Sequence, residues 1–142
     1  MKKHGQEKRR VWRKLHLAVD AGTHEVICAD LSLNNVTDAE AFRELIRQTH
    51  RKVKVASADG AYDTKLCHDE LRRKKIMALI HPRARAGYWL VEYADRNQAV
   101  ARQRLTGSNA YWKRKGRVVT LNWRGDYTVQ ICCRIVFYKR LM

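Results

Sequence analysis

The sequence predicts an α/β fold with a mixed sheet, in which an N-terminal β-hairpin is followed by β-α-β crossovers. Two stretches of alternating apolar residues near the N-terminus indicate the hairpin. Farther along, a capped amphipathic helix and a strand–helix–strand unit indicate parallel strands joined by a crossover. With 142 residues, the chain is long enough to bury one core within one domain.

The predicted hairpin strands are residues 11–19 and 25–33, because apolar side chains occupy alternate positions in both. The intervening Asp-Ala-Gly-Thr sequence is typical of a turn. Thr37 and Glu40 then form a capping box, which predicts a helix over about residues 37–50.

A second unit begins with the β-prone residues 53–58. Asp63 or Thr64 can cap a helix over about residues 65–74. The continuous apolar run at 76–80 predicts a strand that is buried on both faces. Because a strand, a helix and a strand of these lengths form a parallel crossover, both strands should end at the same edge of the sheet.

The C-terminal part of the chain changes in character. After a weakly amphipathic helix predicted over about residues 92–105, residues 117–142 contain a single acidic residue, Asp126. Residues 127–138 favour a strand by propensity, but a basic, β-prone end does not fit the preceding α/β pattern. We therefore predict a basic arm at 1–10, an α/β domain at 11–116 and an irregular basic tail at 117–142.

The chain is strongly basic, with 30 Lys and Arg residues against 14 Asp and Glu residues and a net charge of +16. This charge favours a polyanionic partner. DNA is favoured over an anionic membrane, because no run of ~18 apolar residues could span a bilayer. No apolar stretch follows the basic N-terminus, so we expect no signal peptide and a cytoplasmic location, associated with the nucleoid. The four cysteines lack the spacing of a zinc site or a disulfide framework, and we expect reduced thiols.

Basic residues with one tryptophan among them form the candidate DNA contacts near the N-terminus. A basic arm without hydrophobic period is either a solvated tail or a surface that contacts phosphates, with the indole available to stack on a base. The candidate DNA-binding residues are Lys8, Arg9, Arg10, Trp12, Arg13 and Lys14.

Asp59 is the candidate catalytic and metal-binding residue. It lies at the carboxyl end of the predicted strand 53–58, and ligands of α/β sheets gather beyond the carboxyl ends of strands. A carboxylate there, in so basic a chain, indicates a metal ion that faces a phosphate. The alternative is that Asp59 only forms an Asp-Gly turn with Gly60, which is the commoner role of such a pair.

The motif around Asp59 resembles a known family. The run D-G-A-Y-D-T at 59–64, followed by L-C-H-D-E-L at 66–71, resembles the second-aspartate motif of bacterial insertion-sequence transposases of the DDE type, in the branch called insertion sequence family five. Residues 8–20, K-R-R-V-W-R-K-L-H-L-A-V-D, are similar to a second segment of that branch. Arg96-Asn97 and the Y-W-K-R sequence at 111–114 also fit, so that the resemblance covers about residues 3–116.

The resemblance implies a fold, a reaction and a cofactor. It implies a partial RNase H-like fold and DNA strand cleavage and transfer by Mg²⁺ ions held between three carboxylates. On this basis Asp59 is the second metal-binding aspartate, and the partners are transposon ends and nonspecific DNA.

The sequence departs from the family pattern at both ends. The family's first aspartate precedes the segment that matches residues 3–5, and Asp20 matches a non-catalytic aspartate of the hairpin turn. No Glu follows Glu92 that could serve as the third acid. We therefore expect a truncated fragment with weak or absent Mg²⁺ binding and no strand cleavage by itself.

A frameshift would explain the tail. Residues 123–131, back-translated and read one nucleotide later, permit a Glu-Thr motif like the missing third acid, so that the residues after about 116 would be out of frame. A missing first strand would leave an unpaired sheet edge beside residues 11–19, and a missing last helix would leave one sheet face partly bare. Both would make the protein marginally stable and prone to aggregate.

Three functions are compatible with these observations. The first is a DDE transposase core that is inactive alone. The second is a non-enzymatic, basic DNA-binding fragment that inhibits an intact transposase by competing or pairing with it. The third, an unrelated basic protein such as an RNA-binding one, is disfavoured because no RRM, KH or double-stranded-RNA-binding signature is present.

Overall fold

The structure is a computed structural model and describes residues 11–110 and 127–138. Its five strands form one mixed sheet in the order β2-β1-β5-β3-β4. Three helices pack on this sheet. The predicted α/β class is confirmed, and the arrangement is consistent with the partial RNase H-like fold that the resemblance implies.

The predicted hairpin is present as β1, Val11–Asp20, and β2, Val26–Leu33. The two strands pair antiparallel, with a register shift between Ala18 and Val19. Asp20 forms the turn between them, because its Oδ1 accepts hydrogen bonds from the backbone N–H of Gly22 at 2.8 Å and of Thr23 at 3.2 Å. The structural role expected for Asp20 is confirmed.

Helix α1, Asp38–Gln48, begins at the predicted capping box. The Thr37 hydroxyl accepts the backbone N–H of Glu40 at 3.3 Å, and the Glu40 carboxylate accepts the backbone N–H of Thr37 at 2.9 Å. The buried face of the helix consists of Ala41, Phe42, Leu45 and Ile46. Their i, i+1, i+4, i+5 spacing is that of one helical stripe.

The predicted parallel crossover is confirmed. Strand β3, Val53–Ala58, leads through helix α2, Lys65–Arg73, into strand β4, Met77–Ile80, which pairs parallel with β3. Thr64, one of the two predicted caps, accepts the backbone N–H of Cys67 at 3.3 Å. The carboxyl ends of β3 and β4 consequently lie at one edge of the sheet.

The last helix of the described residues is α3, Ala94–Thr106. It follows a 3₁₀ turn, Val91–Tyr93, and ends at Gly107, whose φ of 68° is left-handed. Glycine tolerates this conformation because it has no Cβ. The predicted helix is therefore correct to within two residues at each end.

Strand β5, Tyr127–Tyr138, corrects two expectations. The tail 117–142 was expected to be irregular, and β1 was expected to have an unpaired edge. Instead β5 lies between β1 and β3, antiparallel to β1 and parallel to β3. The physical reason is that β2 occupies only one edge of β1, and the β-prone segment 127–138 satisfies the backbone groups of the other edge. Residues 117–126 and 139–142 lie outside the described structure, so the first correction applies only to residues 127–138.

The sheet is covered unequally on its two faces. Helices α1 and α2 cover one face, over a core that includes Ala18, Phe42 and Leu71. Helix α3 covers only the β3–β4 part of the other face. Leu31 and Leu33 on β2 are 57% and 49% exposed, so no described helix covers this part of the sheet. No helix among the described residues is long and apolar enough to cross a membrane.

Candidate functional site

Asp59 follows the carboxyl end of β3, as predicted. Its Oδ1 accepts a hydrogen bond of 2.9 Å from the backbone N–H of Ala61 and thereby caps the 3₁₀ turn Gly60–Tyr62. The side chain is exposed. Asp59 therefore forms the turn that the sequence indicates, and its carboxylate still faces solvent, where a ligand can reach it.

Gly60 allows the turn to contact the end of β4. The Nε2 atom of His81, the residue after β4, accepts the backbone N–H of Gly60 at 3.1 Å. A Cβ at position 60 would lie 3.1 Å from the same Nε2 atom and 3.2 Å from Cδ2 of the ring. Any larger residue would crowd His81, so the glycine lets the two strand ends approach each other.

Arg83 binds the turn from the other side. Its Nε donates to the carbonyl oxygen of Gly60 at 3.2 Å, and its Nη2 donates to that of Ala61 at 3.1 Å. Both acceptors are neutral, and among the described residues no carboxylate forms an ion pair with this exposed guanidinium. A positive charge is thus held against the turn that Asp59 caps.

Asp63 lies in the same motif but is buried, with 5% of its surface exposed. Arg96 binds it through two nitrogens, at 2.7 Å and 3.1 Å, and His68 donates to it at 3.2 Å. The backbone N–H of Arg83 donates to its other oxygen at 3.1 Å. Burial acts to raise the pKa of Asp63, but the hydrogen bonds from His68, Arg96 and Arg83 prevail and lower it to about 2.

Arg96 connects this carboxylate to the loop after β4. Its guanidinium lies 3.5 Å from the ring centroid of Trp89, and its Nη1 donates to the carbonyl oxygen of Gly87 at 2.7 Å. Asn97 accepts the backbone N–H of Trp89 at 2.9 Å and donates to its carbonyl at 3.0 Å. The Arg96-Asn97 pair therefore fixes the position of the loop.

The predicted DNA-binding residues are only partly within the described structure. Residues outside it are Lys8, Arg9 and Arg10. Trp12 belongs to β1 by its backbone, and Arg13 is partly buried on the same strand. The amine of Lys14 donates to the carbonyl of Val36 at 3.0 Å and lies 3.3 Å from the carboxylate of Asp38. Lys14 thus has partners within the chain, at the start of α1.

Strand β1 extends past Asp59 in the direction in which β3 ends. This follows because β5 runs parallel to β3 and antiparallel to β1. The β3–β5 ladder reaches Ser57 and Gln130, whereas the β1–β5 ladder continues to Val11 and Tyr138. Because Val19 and Ser57 both pair with Gln130, the N-terminal end of β1 lies several residues beyond Asp59 in this direction.

The described residues do not fit a two-ion site. Among them, no group of three or more His, Cys, Asp or Glu side chains is placed to hold a metal ion. Both oxygens of Asp63 are occupied, and strand β5, which flanks β3, contains no Asp or Glu. Mg²⁺ retains its waters unless more than one carboxylate or phosphate binds it. Asp59 alone does not meet this requirement.

The sequence reasoning missed Arg83 and the Asp63–Arg96 pair. Asp63 was considered only as a helix cap, and Thr64 has that role. The available signal for Arg83 was its position three residues after the buried strand β4, at the same edge as Asp59. Partners as distant in sequence as Asp63 and Arg96 leave no local pattern.

Comparison with protein-family models shows to which family the chain belongs. The family model described as transposase DDE domain matches residues 1–135. The chain belongs to the transposase DDE domain family. The match continues past residue 116, where the resemblance was expected to end. DDE transposases act on DNA and generally use divalent metal ions. None of the solved structures matches the chain.

Proposed function

We propose that this chain is a DDE transposase domain of the insertion sequence family five branch, with Asp59 as its second metal-binding aspartate. We further propose that the chain does not cleave DNA by itself. The D-G-A-Y-D-T motif and the K-R-R-V-W-R-K-L-H-L segment support the branch. The exposure of Asp59 at the carboxyl end of β3 supports its role.

The observation that carries the proposal is the isolation of Asp59 from the other carboxylates of residues 11–110 and 127–138. Asp63 is the nearest acid in the sequence, and Arg96, His68 and the backbone of Arg83 occupy it. Transfer of a phosphoryl group by two ions needs several carboxylates that clamp ions ~3.5–4 Å apart. With one available carboxylate among the described residues, this part of the chain retains the place for a metal ion but lacks the ligand set to keep it.

A nicking assay tests this proposal. Supercoiled plasmid is incubated with the full chain and Mg²⁺ or Mn²⁺, and with the Asp59→Ala variant. We expect no nicked product above background from either protein, because the ligand set for two ions is incomplete.

The matched control is Asp95→Ala, which removes another exposed acid, one that lies in the first turn of α3. Metal-dependent nicking by the natural chain and by Asp95→Ala, but not by Asp59→Ala, would contradict the proposal, because Asp59 would then work in a complete site.

The second candidate is a DNA-binding fragment that inhibits an intact transposase, in the cytoplasm near the nucleoid. The net charge of +16 favours it, because such a charge binds DNA whether or not the site is complete. The DNA sequence of the locus discriminates between the candidates. Inverted repeats, an upstream Asp-Ser-Thr strand and a Glu-Thr motif one frame over would indicate a decayed transposase gene, and their absence would favour an independent binding protein.

A further inference from the structure

A basic loop lies directly beside Asp59. We name residues 81–90, which connect β4 to the 3₁₀ turn before α3, the arginine loop. It carries Arg83 and Arg85, both exposed. Within the described parts of the chain, neither guanidinium forms an ion pair with a carboxylate. Two uncompensated positive charges are therefore presented at the edge of the sheet where Asp59 lies.

Arg83 is oriented but not neutralised. The two carbonyls that it binds, of Gly60 and Ala61, occupy the single N–H of Nε and one of the two N–H groups of Nη2. A guanidinium has five N–H donors, so that several remain available to a ligand. Their planar arrangement matches two oxygens of a phosphate. Arg83 is thus fixed against the turn that the proposed metal ligand caps, while it can still bind an anion.

The backbone of the arginine loop is held by side chains of α3. Arg96 donates to the carbonyl oxygen of Gly87 at 2.7 Å, and Arg104 donates to that of Ala86 at 3.3 Å. Gln103 donates to the carbonyl oxygens of Pro82 and Arg83 at 3.3 Å and 3.2 Å. A loop that is ordered before binding loses little conformational entropy when it binds.

Two further features fit a nucleic acid. Arg85 has a left-handed backbone with a φ of 58°, which costs energy for any residue except glycine. The strain keeps a charged side chain where a glycine would fit better. Tyr88 is 53% exposed, and the guanidinium of Arg104 lies 4.5 Å from its ring centroid. An exposed aromatic ring among basic groups is typical of surfaces that bind DNA strands.

We propose that the arginine loop binds backbone phosphates of DNA, with Arg83 on the phosphate nearest Asp59. This inference rests on the proposed function, because it specifies how the DNA strand is held at that same site. It places the DNA contact on a folded loop, in addition to the N-terminal residues that the sequence suggests. An acidic polypeptide is the competing partner, and the experiment separates the two.

The experiment measures binding of the full chain to a short fluorescein-labelled DNA duplex of arbitrary sequence, by anisotropy. We expect Arg83→Gln and Arg85→Gly each to raise the Kd roughly five- to ten-fold near physiological salt, and to reduce the slope of log Kd against log salt by about 0.9, the effect of one phosphate contact. Arg85→Gly removes no hydrogen bond among the described residues and relieves the left-handed strain, so it tests binding without loss of folding.

The matched control is Arg51→Gln, which removes one exposed charge before β3, at the opposite end of that strand from Asp59. Its Kd should change less than two-fold, on the order of what a distant, screened charge contributes. Loop variants that bind like Arg51→Gln, or a natural chain that does not bind the duplex, would overturn the inference. The inference would also be overturned if polyglutamate bound as tightly as the duplex and the loop variants weakened both to the same extent. The partner would then be an acidic polypeptide.

Failure of this inference and of the proposed function are distinguishable. Loop variants with unchanged DNA binding leave the nicking result for Asp59 untouched. Metal-dependent nicking that Asp59→Ala abolishes and Asp95→Ala keeps overturns the proposed function but does not change the measured DNA binding of the arginine loop.

Discussion

Two aspartates four positions apart illustrate how much the surroundings of a residue decide its chemistry. Asp59 is exposed and bonded only to its own turn, whereas Asp63 is buried and receives hydrogen bonds from His68, Arg96 and the backbone of Arg83. Asp63 therefore stays ionised and acts as an anchor for the loop after β4. Asp59 remains the one of the two that a ligand can reach.

The low pKa of Asp63 makes stability depend on pH in the acid range. Its pKa falls from an ordinary 3.8 to about 2 in the folded state, so the unfolded chain binds the proton first on acidification. The stabilisation is complete above about pH 4 and is lost as the pH falls from about 4 to about 2. A pKa shift of this size corresponds to about 2 kcal/mol in the free energy of unfolding. Urea midpoints of the natural chain measured over this range should fall accordingly.

Asp63→Asn should lower the free energy of unfolding by about 3–5 kcal/mol at neutral pH, because it leaves the buried Arg96 without its counter-charge. It should also lose the part of the pH dependence that Asp63 causes. Asp95→Asn, at an exposed position, should keep both the stability and the pH profile. An Asp63→Asn protein with the pH profile of the natural chain would show that Asp63 is not the titrating group.

At the scale of the element, β5 is the strand on which the sheet depends. It supplies the only link in the sheet between the β1–β2 hairpin and the β3–β4 pair among the described strands. Its removal would leave β1 and β3 each with an unpaired edge, and unpaired edges promote aggregation. The half-exposed Leu31 and Leu33 on β2 add to this tendency.

A shortened chain tests this dependence. A chain that ends at residue 126 should lose its cooperative thermal transition in circular dichroism and should elute as aggregate in size-exclusion chromatography. A chain that ends at residue 138 keeps β5 and should behave like the full chain. A monomer that ends at residue 126 and melts cooperatively would show that β5 is not needed for the sheet.

At the scale of the whole molecule, the net charge of +16 governs the encounter with DNA. Each phosphate neutralised releases counterions, so binding weakens as salt rises. For a surface that makes about four phosphate contacts, the association constant should fall about 100-fold between roughly 50 and 200 mM salt. Anisotropy titrations with two duplexes of unrelated sequence measure this, and tight binding to only one of them at high salt would indicate a specific reader.

The parts of the molecule that the sequence predicts are those that local patterns determine. The capping box of α1 needs only residues three apart, and β3 and α2 follow from short apolar periods. The position of Asp59 at a strand end followed from the same periods. Its availability to a ligand did not, because that depends on the partners of Asp63 and on the position of Arg83.

The position of β5 was not predictable for a related reason. The sequence of β5 indicates a strand. Its pairing, however, joins Leu15 to Arg134 and Ala56 to Val129, residues that are far apart in the chain. Alternation within one strand does not specify which neighbour it will find. The expected irregular tail was an inference from local inconsistency, and long-range pairing overrode it for residues 127–138.

The central place of β5 also determines when the protein can fold during its synthesis. The strand follows every other described element in sequence, so the ribosome releases it last. Until then the hairpin and the β3–β4 unit have no strand between them. The edges of β1 and β3 stay unpaired and can pair with other chains. Folding that depends on such distant contacts is slow and exposes the chain to chaperones and proteases. Folding of the whole sheet should therefore be delayed until β5 has left the ribosome.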